Sequence, residues 1–329
     1  MKRQHTWLTL LAFGSCLYVG SVYASELPVL EKTTDPGLIN SDITLDTRPL
    51  SSCLQQTVAG AICLPIEDFV APQRRLANWS GILWLLGTAQ LTGNEHVLIV
   101  GEKSDRRDLL AGVLALAGQK QITTVDKPVS KIIGNTDNTS AGTQRSTTRV
   151  NVFAAPMRSD LIALGNEMIN LYSENTIILD GRSEAEYFGQ RIRAARGGHI
   201  PGAIHYPISQ LTDRASQHAV SSTHTVAYAH DSVEGLVYFS TLLANGINTR
   251  LFLGGWTEWA ADGALPADAA SFPLDVERHI ESISAQLPVS TSRIDFQANR
   301  LWFTLAALIM ISLMTLSFFM GKLLYGRHR

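Results

Sequence analysis

Cysteine is scarce, three residues in 329, and one of them, Cys16, falls in an apolar N-terminal run. The remaining Cys53 and Cys63 can build neither a disulfide scaffold nor a Cys-rich zinc module. Charged residues make up 17% of the chain, against about 25% in an average soluble domain, a shortfall expected when part of a chain lies in a membrane. Positive charge is not in excess either. The formal net charge of −2 excludes a general nucleic-acid binder, which needs a basic surface. A glycine-rich phosphate loop, zinc-ligand spacing and a Gly-x-Ser-x-Gly elbow are all missing. What is present is 45% hydrophobic sequence with room for roughly two domains.

The longest charge-poor runs lie at the ends. Lys2 and Arg3 precede the apolar stretch Thr6 to Val22, and Val22-Tyr23-Ala24 supplies small residues at the spacing of a signal-peptidase site. Residues 1–24 are therefore expected to be a secretory signal, with Ser25 following the cleavage. Leu301 to Met320 contains no charge over twenty residues. At about 1.5 Å per residue such a helix spans roughly the hydrocarbon core of a bilayer. Trp302, Phe303, Lys322 and Tyr325 stand where interfacial anchors stand. The sequence thus predicts a transmembrane helix over 300–321, a juxtamembrane segment 276–299 and a cytoplasmic tail 322–329. The bulk of the chain is expected in the periplasm, held on the inner membrane.

Between these ends the chain reads as two similar halves, 25–133 and 149–275, joined by a linker, 134–148, that lacks any large apolar residue. Each half alternates short β-branched runs with helical segments, the pattern of an α/β fold with parallel sheets flanked by helices. Asp46-Thr47-Arg48 matches Asp180-Gly181-Arg182, and Gly60-Ala61-Ile62-Cys63-Leu64-Pro65 matches Gly202-Ala203-Ile204-His205-Tyr206-Pro207. From Gly101 to Asp126 is the same distance as from Ala229 to Gly254. Three matching anchors imply a duplicated domain. Helices are expected from Asp108 to Ala117 and from Gly235 to Asn245, each preceded by a polar loop.

The second half carries LDGRSEAEYFGQ, RGGHIPGAIHYP, VAYAHDSVEG and RLFLGGWTEWAADGALP in order. This series resembles the rhodanese (thiosulfate sulfurtransferase) domain from end to end, with the Gly-His-Ile-Pro-Gly-Ala run and Gly254-Gly255-Trp256 as its most specific parts. The first half resembles the same domain more weakly. The resemblance implies tandem rhodanese-like domains. It also implies a cysteine at the end of the strand before each loop, where a thiolate accepts sulfur and loop amides and basic residues cradle an anion. At those positions stand Gly101 and Ala229. Neither has a sulfur atom, so sulfur transfer by that mechanism cannot run there.

The loop residues are therefore weighed as binding groups: Lys103, Arg106 and Arg107 in the first half, and His230, Asp231, Ser232, Glu234 and Gly235 in the second. The two acids of the second loop would repel an anion and raise a neighbouring thiol's pKa. Ser232 has His230 two positions away but no third member of a triad. Cys53 and Cys63 are a redox pair or a relocated sulfur acceptor on one reading, a structural disulfide or two buried apolar residues on the other. His199 and His205 have no ligand spacing around them, so no metal is expected. Asp180 with Arg182 reads as a buried pair fixing a loop, and Trp256 with Trp259 as core packing. The expectation is a membrane-anchored binding or scaffold module without cofactor, its partner an envelope or inner-membrane protein. The alternative is a sulfurtransferase or thiol-redox enzyme using Cys53 or Cys63.

Overall fold

Hydrophobic runs such as His96-Val97-Leu98-Ile99-Val100 and Thr225-Val226-Ala227-Tyr228 are buried on both faces, which is what strands in the middle of a parallel sheet require. The computed structural model describes residues 27–268 apart from 36, 38–39, 135–137, 174–175 and 212–224. Six strands form the first sheet: β1 (Val29–Thr33), β2 (Ile43–Asp46), β3 (Ile62–Cys63), β4 (His96–Val100), β5 (Gln121–Val125) and β6 (Thr143–Gln144), in the order β1-β5-β4-β2-β3-β6. Five form the second: β7 (Ile162–Ala163), β8 (Ile177–Asp180), β9 (Ile204–His205), β10 (Thr225–Tyr228) and β11 (Arg250–Phe252), in the order β7-β11-β10-β8-β9. All pairings in both sheets are parallel. Leaving β6 aside, the two orders are the same, and the register agrees as well. Asp46 pairs with Cys63 as Asp180 pairs with His205.

The helices that bear on the site are α1 (Leu50–Gln55), α2 (Trp79–Thr88), α3 (Ser104–Ala117), α4 (Ser232–Ala244) and α5 (Gly255–Ala261). Both α3 and α4 begin earlier than their apolar periodicity suggests, so most of each expected polar loop is the helix's first turn. In the second half the cause is local: the Asp231 carboxylate accepts the Glu234 amide at 2.9 Å and starts the helix at Ser232.

These two helices pack on each other and join the halves. Leu110, Val113 and Leu114 of α3 share one core with Leu236, Phe239 and Leu243 of α4. Each such side chain, once buried, stabilises the fold by about 1.5–3 kcal/mol. A Cβ on Gly112 would lie 2.5 Å from the Leu236 carbonyl oxygen, so only glycine permits this approach. The described residues accordingly belong to one compact unit.

The expected linker is not free chain. Thr139–Ser140 pairs antiparallel with Thr57–Val58, and β6 adds to the edge of the first sheet beside β3. Apolar side chains are not needed there because backbone hydrogen bonds hold the segment, among them Gly142 N to the Cys53 oxygen and Thr143 N to the Ala61 oxygen. The expected signal, juxtamembrane, transmembrane and tail segments lie outside the described residues. Among the described residues no helix is long and apolar enough to cross a membrane.

Candidate functional site between the two halves

Ala229 follows β10 and opens the loop into α4. Its carbonyl accepts the Trp256 amide at 2.9 Å, and the His230 carbonyl accepts both the Thr257 amide at 2.9 Å and its hydroxyl at 2.8 Å. The Gly254-Gly255-Trp256 turn thus supports the loop from below. Gly255 has φ +60, and a Cβ there would meet the Ala229 oxygen at 2.6 Å, so both its conformation and its closeness require glycine. Ala229 lines a chamber of about 500 Å³ whose walls include Ile66, Val70 and Leu109 from the first half and Gly181, Val233 and Tyr238 from the second. An outer cleft of about 910 Å³ runs past Trp79, Arg193, His230, Ser232 and Glu258.

An ionic network closes the loop. Arg74 sits at the tip of a hairpin in which Val70–Ala71 pairs with Arg75–Leu76. Its Nε donates to Asp231 Oδ2 at 2.9 Å, and its Nη2 donates to Asp231 Oδ1 at 3.4 Å and Glu234 Oε1 at 3.3 Å. Arg193 donates to Glu234 at 2.6 Å and to Glu186 at 3.1 Å. Burial alone would raise the Asp231 carboxyl, but Arg74 and the Glu234 amide outweigh it and hold it below the usual range. The bond to Asp231 raises Arg74, and the bond to Glu234 raises Arg193. His230 is pushed down by burial and then by Arg193. Its Nδ1 has no hydrogen-bond partner and lies 3.4 Å from Glu186 Oε1. Asp231, Glu234 and His230 come together as the sequence reading grouped them. Arg74, Arg193 and Glu186 were not foreseen: no motif holds them, and Arg74 reaches across from the other half.

The first loop is closed differently. The Gly101 carbonyl accepts the Val129 amide at 3.1 Å and Arg107 Nη1 at 2.7 Å. Arg107 is buried, so it is no ligand-binding cation as expected; its guanidinium fills the loop from inside. Arg106 points outward and pairs with Glu67, while Lys103 is exposed ahead of α3. A Cβ on Gly101 would fall 2.1 Å from Thr47 Oγ1, leaving no room for a thiol.

The remaining candidates are structural. Asp180 accepts the Arg182 amide at 2.9 Å and its Nη2 at 2.6 Å, and Arg182 also donates to the Gly198 oxygen and stacks on Trp256 at 4.6 Å. His199 bonds the Tyr187 oxygen through Nδ1 at 2.8 Å and stacks on the Tyr187 ring. His205 Nε2 lies 2.9 Å from the Arg182 oxygen. Trp256 and Trp259 are buried in the core. Cys53 and Cys63 form a disulfide, fully buried, with Gly142 packed so closely that a Cβ there would meet both sulfurs at 2.6 Å. Among the described residues no group of three or more His, Cys, Asp or Glu is placed to hold a metal ion.

Residues 166–262 match the family model of the rhodanese-like domain. Solved structures extend the likeness of fold to most of the chain. A variant of EanB in complex with ergothioneine has a TM-score of 0.58 at 16% identity, over 75% of this chain and 66% of that one. A persulfide form of EanB in a tetrahedral intermediate state with ergothioneine has a TM-score of 0.59 at 18% identity, over 72% of this chain and 67% of that one. A probable thiosulfate sulfurtransferase has a TM-score of 0.52 at 23% identity, over 70% of this chain and 99% of that one. The chain thus spans about two thirds of the length of EanB. At these identities the likeness shows the fold alone. No curated protein matches the sequence.

Proposed function

We propose that the chain is a tandem rhodanese-type binding module rather than a sulfurtransferase. In this reading it is exported, anchored in the inner membrane by Leu301 to Met320, and offers the cleft between its halves to an envelope partner or small ligand. One observation carries the reading: the loop after Tyr228 has Ala229 where the family's thiolate acts, and Asp231 takes up the Glu234 amide. The arginines that could hold an anion, Arg74 and Arg193, are already paired with Asp231, Glu234 and Glu186. The first half gives a parallel argument, with Gly101 in the thiol's place and Arg107 turned inward. The enzyme alternative needs a reactive thiolate at Cys53 or Cys63, and those sulfurs are joined and buried.

The test is a thiosulfate-to-cyanide transfer assay on the full-length chain beside its Cys53→Ser and Cys63→Ser forms. The expected result is no thiocyanate above the uncatalysed rate in any of the three. Turnover in the native chain that disappears in either variant would defeat the binding reading and assign the sulfur chemistry to that cysteine.

A further inference from the structure

We infer that the chamber beside Ala229 is a binding site for a compact, neutral, apolar molecule. The inference rests on the binding reading above and names the chemistry of the ligand.

One side chain makes the difference between the two halves. Asp46-Thr47-Arg48 and Asp180-Gly181-Arg182 stand at equivalent strand ends. In the first half Thr47 covers Gly101, where a Cβ would fall 2.1 Å from the threonine Oγ1. In the second half Gly181 has no side chain to send over Ala229. The ring of Tyr238 packs on the bare Gly181 backbone instead, since a Cβ there would lie 2.5 Å from Tyr238 Cδ1. The Tyr238 hydroxyl donates to the Tyr206 oxygen at 2.5 Å, so its one donor is already used. What the tyrosine adds to the chamber is therefore ring carbon.

Ile66, Val70 and Leu109 from the first half and Val233 and Val237 from the second continue the apolar wall. The volume of about 500 Å³ falls within the roughly 300–1,000 Å³ of small-molecule sites. Apolar cavities hold water poorly and take apolar ligands.

The charged groups that border the chamber set the charge of its ligand. Arg106 pairs with Glu67, Arg74 pairs with Glu234, and the Asp105 carboxylate accepts the Arg106 amide at 2.9 Å. All are partly exposed and all are engaged within the chain. An ion entering the chamber would give up its hydration without meeting an unpaired counter-ion, a cost that neither sign escapes. A neutral molecule incurs no such cost and gains by covering Leu109, Val233 and Val237. Rings suit the Tyr238 face of the wall better than a flexible chain does, because they make aromatic contacts and have little rotamer freedom to lose.

The experiment is a fluorescence titration of the full-length chain with two probes, N-phenyl-1-naphthylamine and 8-anilino-1-naphthalenesulfonate. They share one ring system and differ by a sulfonate. The neutral probe should saturate at one molecule per chain and bind at least about tenfold more tightly than the sulfonate. 1-Naphthalenemethanol should displace it, and the ammonium of 1-naphthylmethylamine should do so at least about tenfold more weakly. Filling the chamber by Ala229→Leu should weaken the neutral probe at least about tenfold. Val233→Phe fills it from the partly exposed first turn of α4 and serves where Ala229→Leu does not fold, the retained urea midpoint being the check. A response that never saturates, equal affinity for the charged and neutral compounds, or a saturable site untouched in the folded filling variants would each overturn the inference. Any of these without thiocyanate production removes the apolar site and leaves the binding reading standing. Thiocyanate production defeats the binding reading itself.

Discussion

Truncating Asp180 to alanine removes the acceptor for the Arg182 amide, Nε and Nη2 and for the Tyr228 hydroxyl, which donates to it at 2.5 Å. The same truncation at Asp46 removes the acceptor for the Arg48 amide, Nε and Nη2 and for the Thr57 hydroxyl at 2.7 Å. The two sites are built alike at equivalent strand ends, so each is the other's control. They differ in escape to water: the Arg182 side chain is 1% exposed and that of Arg48 is 11%. A buried cation stranded without its partner costs about 3–5 kcal/mol. Arg48 can turn its guanidinium outward, so there the loss is mainly of hydrogen bonds, about 1–3 kcal/mol. Asp180→Ala should therefore destabilise by about 2 kcal/mol more than Asp46→Ala. Urea unfolding of both full-length variants, read as the midpoint shift at unchanged slope, measures the difference. Equal losses, or a larger one at Asp46, would refute the reasoning that burial of the stranded arginine sets the magnitude. A further arm isolates the charge: pairing Asp180→Leu with Arg182→Met should destabilise less than Asp180→Ala alone, because no unpaired cation remains.

Three other outcomes are expected. Ala229→Cys should fold as the native chain does, since it faces a chamber of about 500 Å³, whereas Gly101→Cys should cost about 1–3 kcal/mol through its clash with Thr47. In the Ala229→Cys form burial and the nearby Asp231 and Glu234 should raise the thiol pKa, and alkylation that saturates below pH 7 would contradict this. Replacing Cys53 and Cys63 by alanine should lower stability by about 2–3 kcal/mol, the loop-closure contribution of a short disulfide loop, read as a lower urea midpoint. Burial lowers the pKa of both His199 and His230 in the folded chain. The unfolded chain therefore binds more protons below pH about 6.5, so stability should fall as pH drops from 7 toward the depressed folded values. Asp231, held below its usual range, adds stability that is lost only at still lower pH. Thermal melts from pH 7.5 to about 2 check both, and melting that rises between pH 7 and 5 would exclude the histidine effect.

What could be read from the sequence was what local backbone geometry demands. The Gly-Ala-Ile turns recur because Gly60 and Gly202 both adopt left-handed φ, 78 and 75, ahead of equivalent strands. Asp-x-Arg recurs because a carboxylate at a strand end can bond the amide and side chain two residues on. Such signals lie within a few positions of one another. The Arg74–Asp231 contact spans 157 positions, and nothing in either segment marks the other. The edge strand at Thr143–Gln144 escaped because its contribution is backbone hydrogen bonding, which leaves no trace in side-chain pattern. Arg106 and Arg107 are neighbours of identical chemistry, yet one faces Glu67 and the other is buried against Gly101; that division follows from helix phase, which the late expected start at Asp108 obscured. The Cys53–Cys63 pairing stayed open because a separation of ten residues neither requires nor forbids a bridge.

The two loops are built by opposite means, and the difference sets the charge that a ligand would meet in each. In the first half a cation, Arg107, occupies the loop and bonds the Gly101 oxygen, so the space is filled and the loop is closed from within. In the second half the space beside Ala229 is open, but carboxylates border it. A unit anion about 5 Å from one carboxylate meets a repulsion of roughly 3 kcal/mol at an effective dielectric near 20. Asp231 and Glu234 together would roughly double this if Arg74 moved aside to admit the anion. Were Arg74 to stay, its charge would already be neutralised by Asp231 and Glu234. Neutralising the two acids together, Asp231→Asn with Glu234→Gln, removes that repulsion and leaves Arg74 and Arg193 without these partners, so sulfate should bind the double variant more tightly than the native chain; equal sulfate affinity by calorimetry would refute the electrostatic argument.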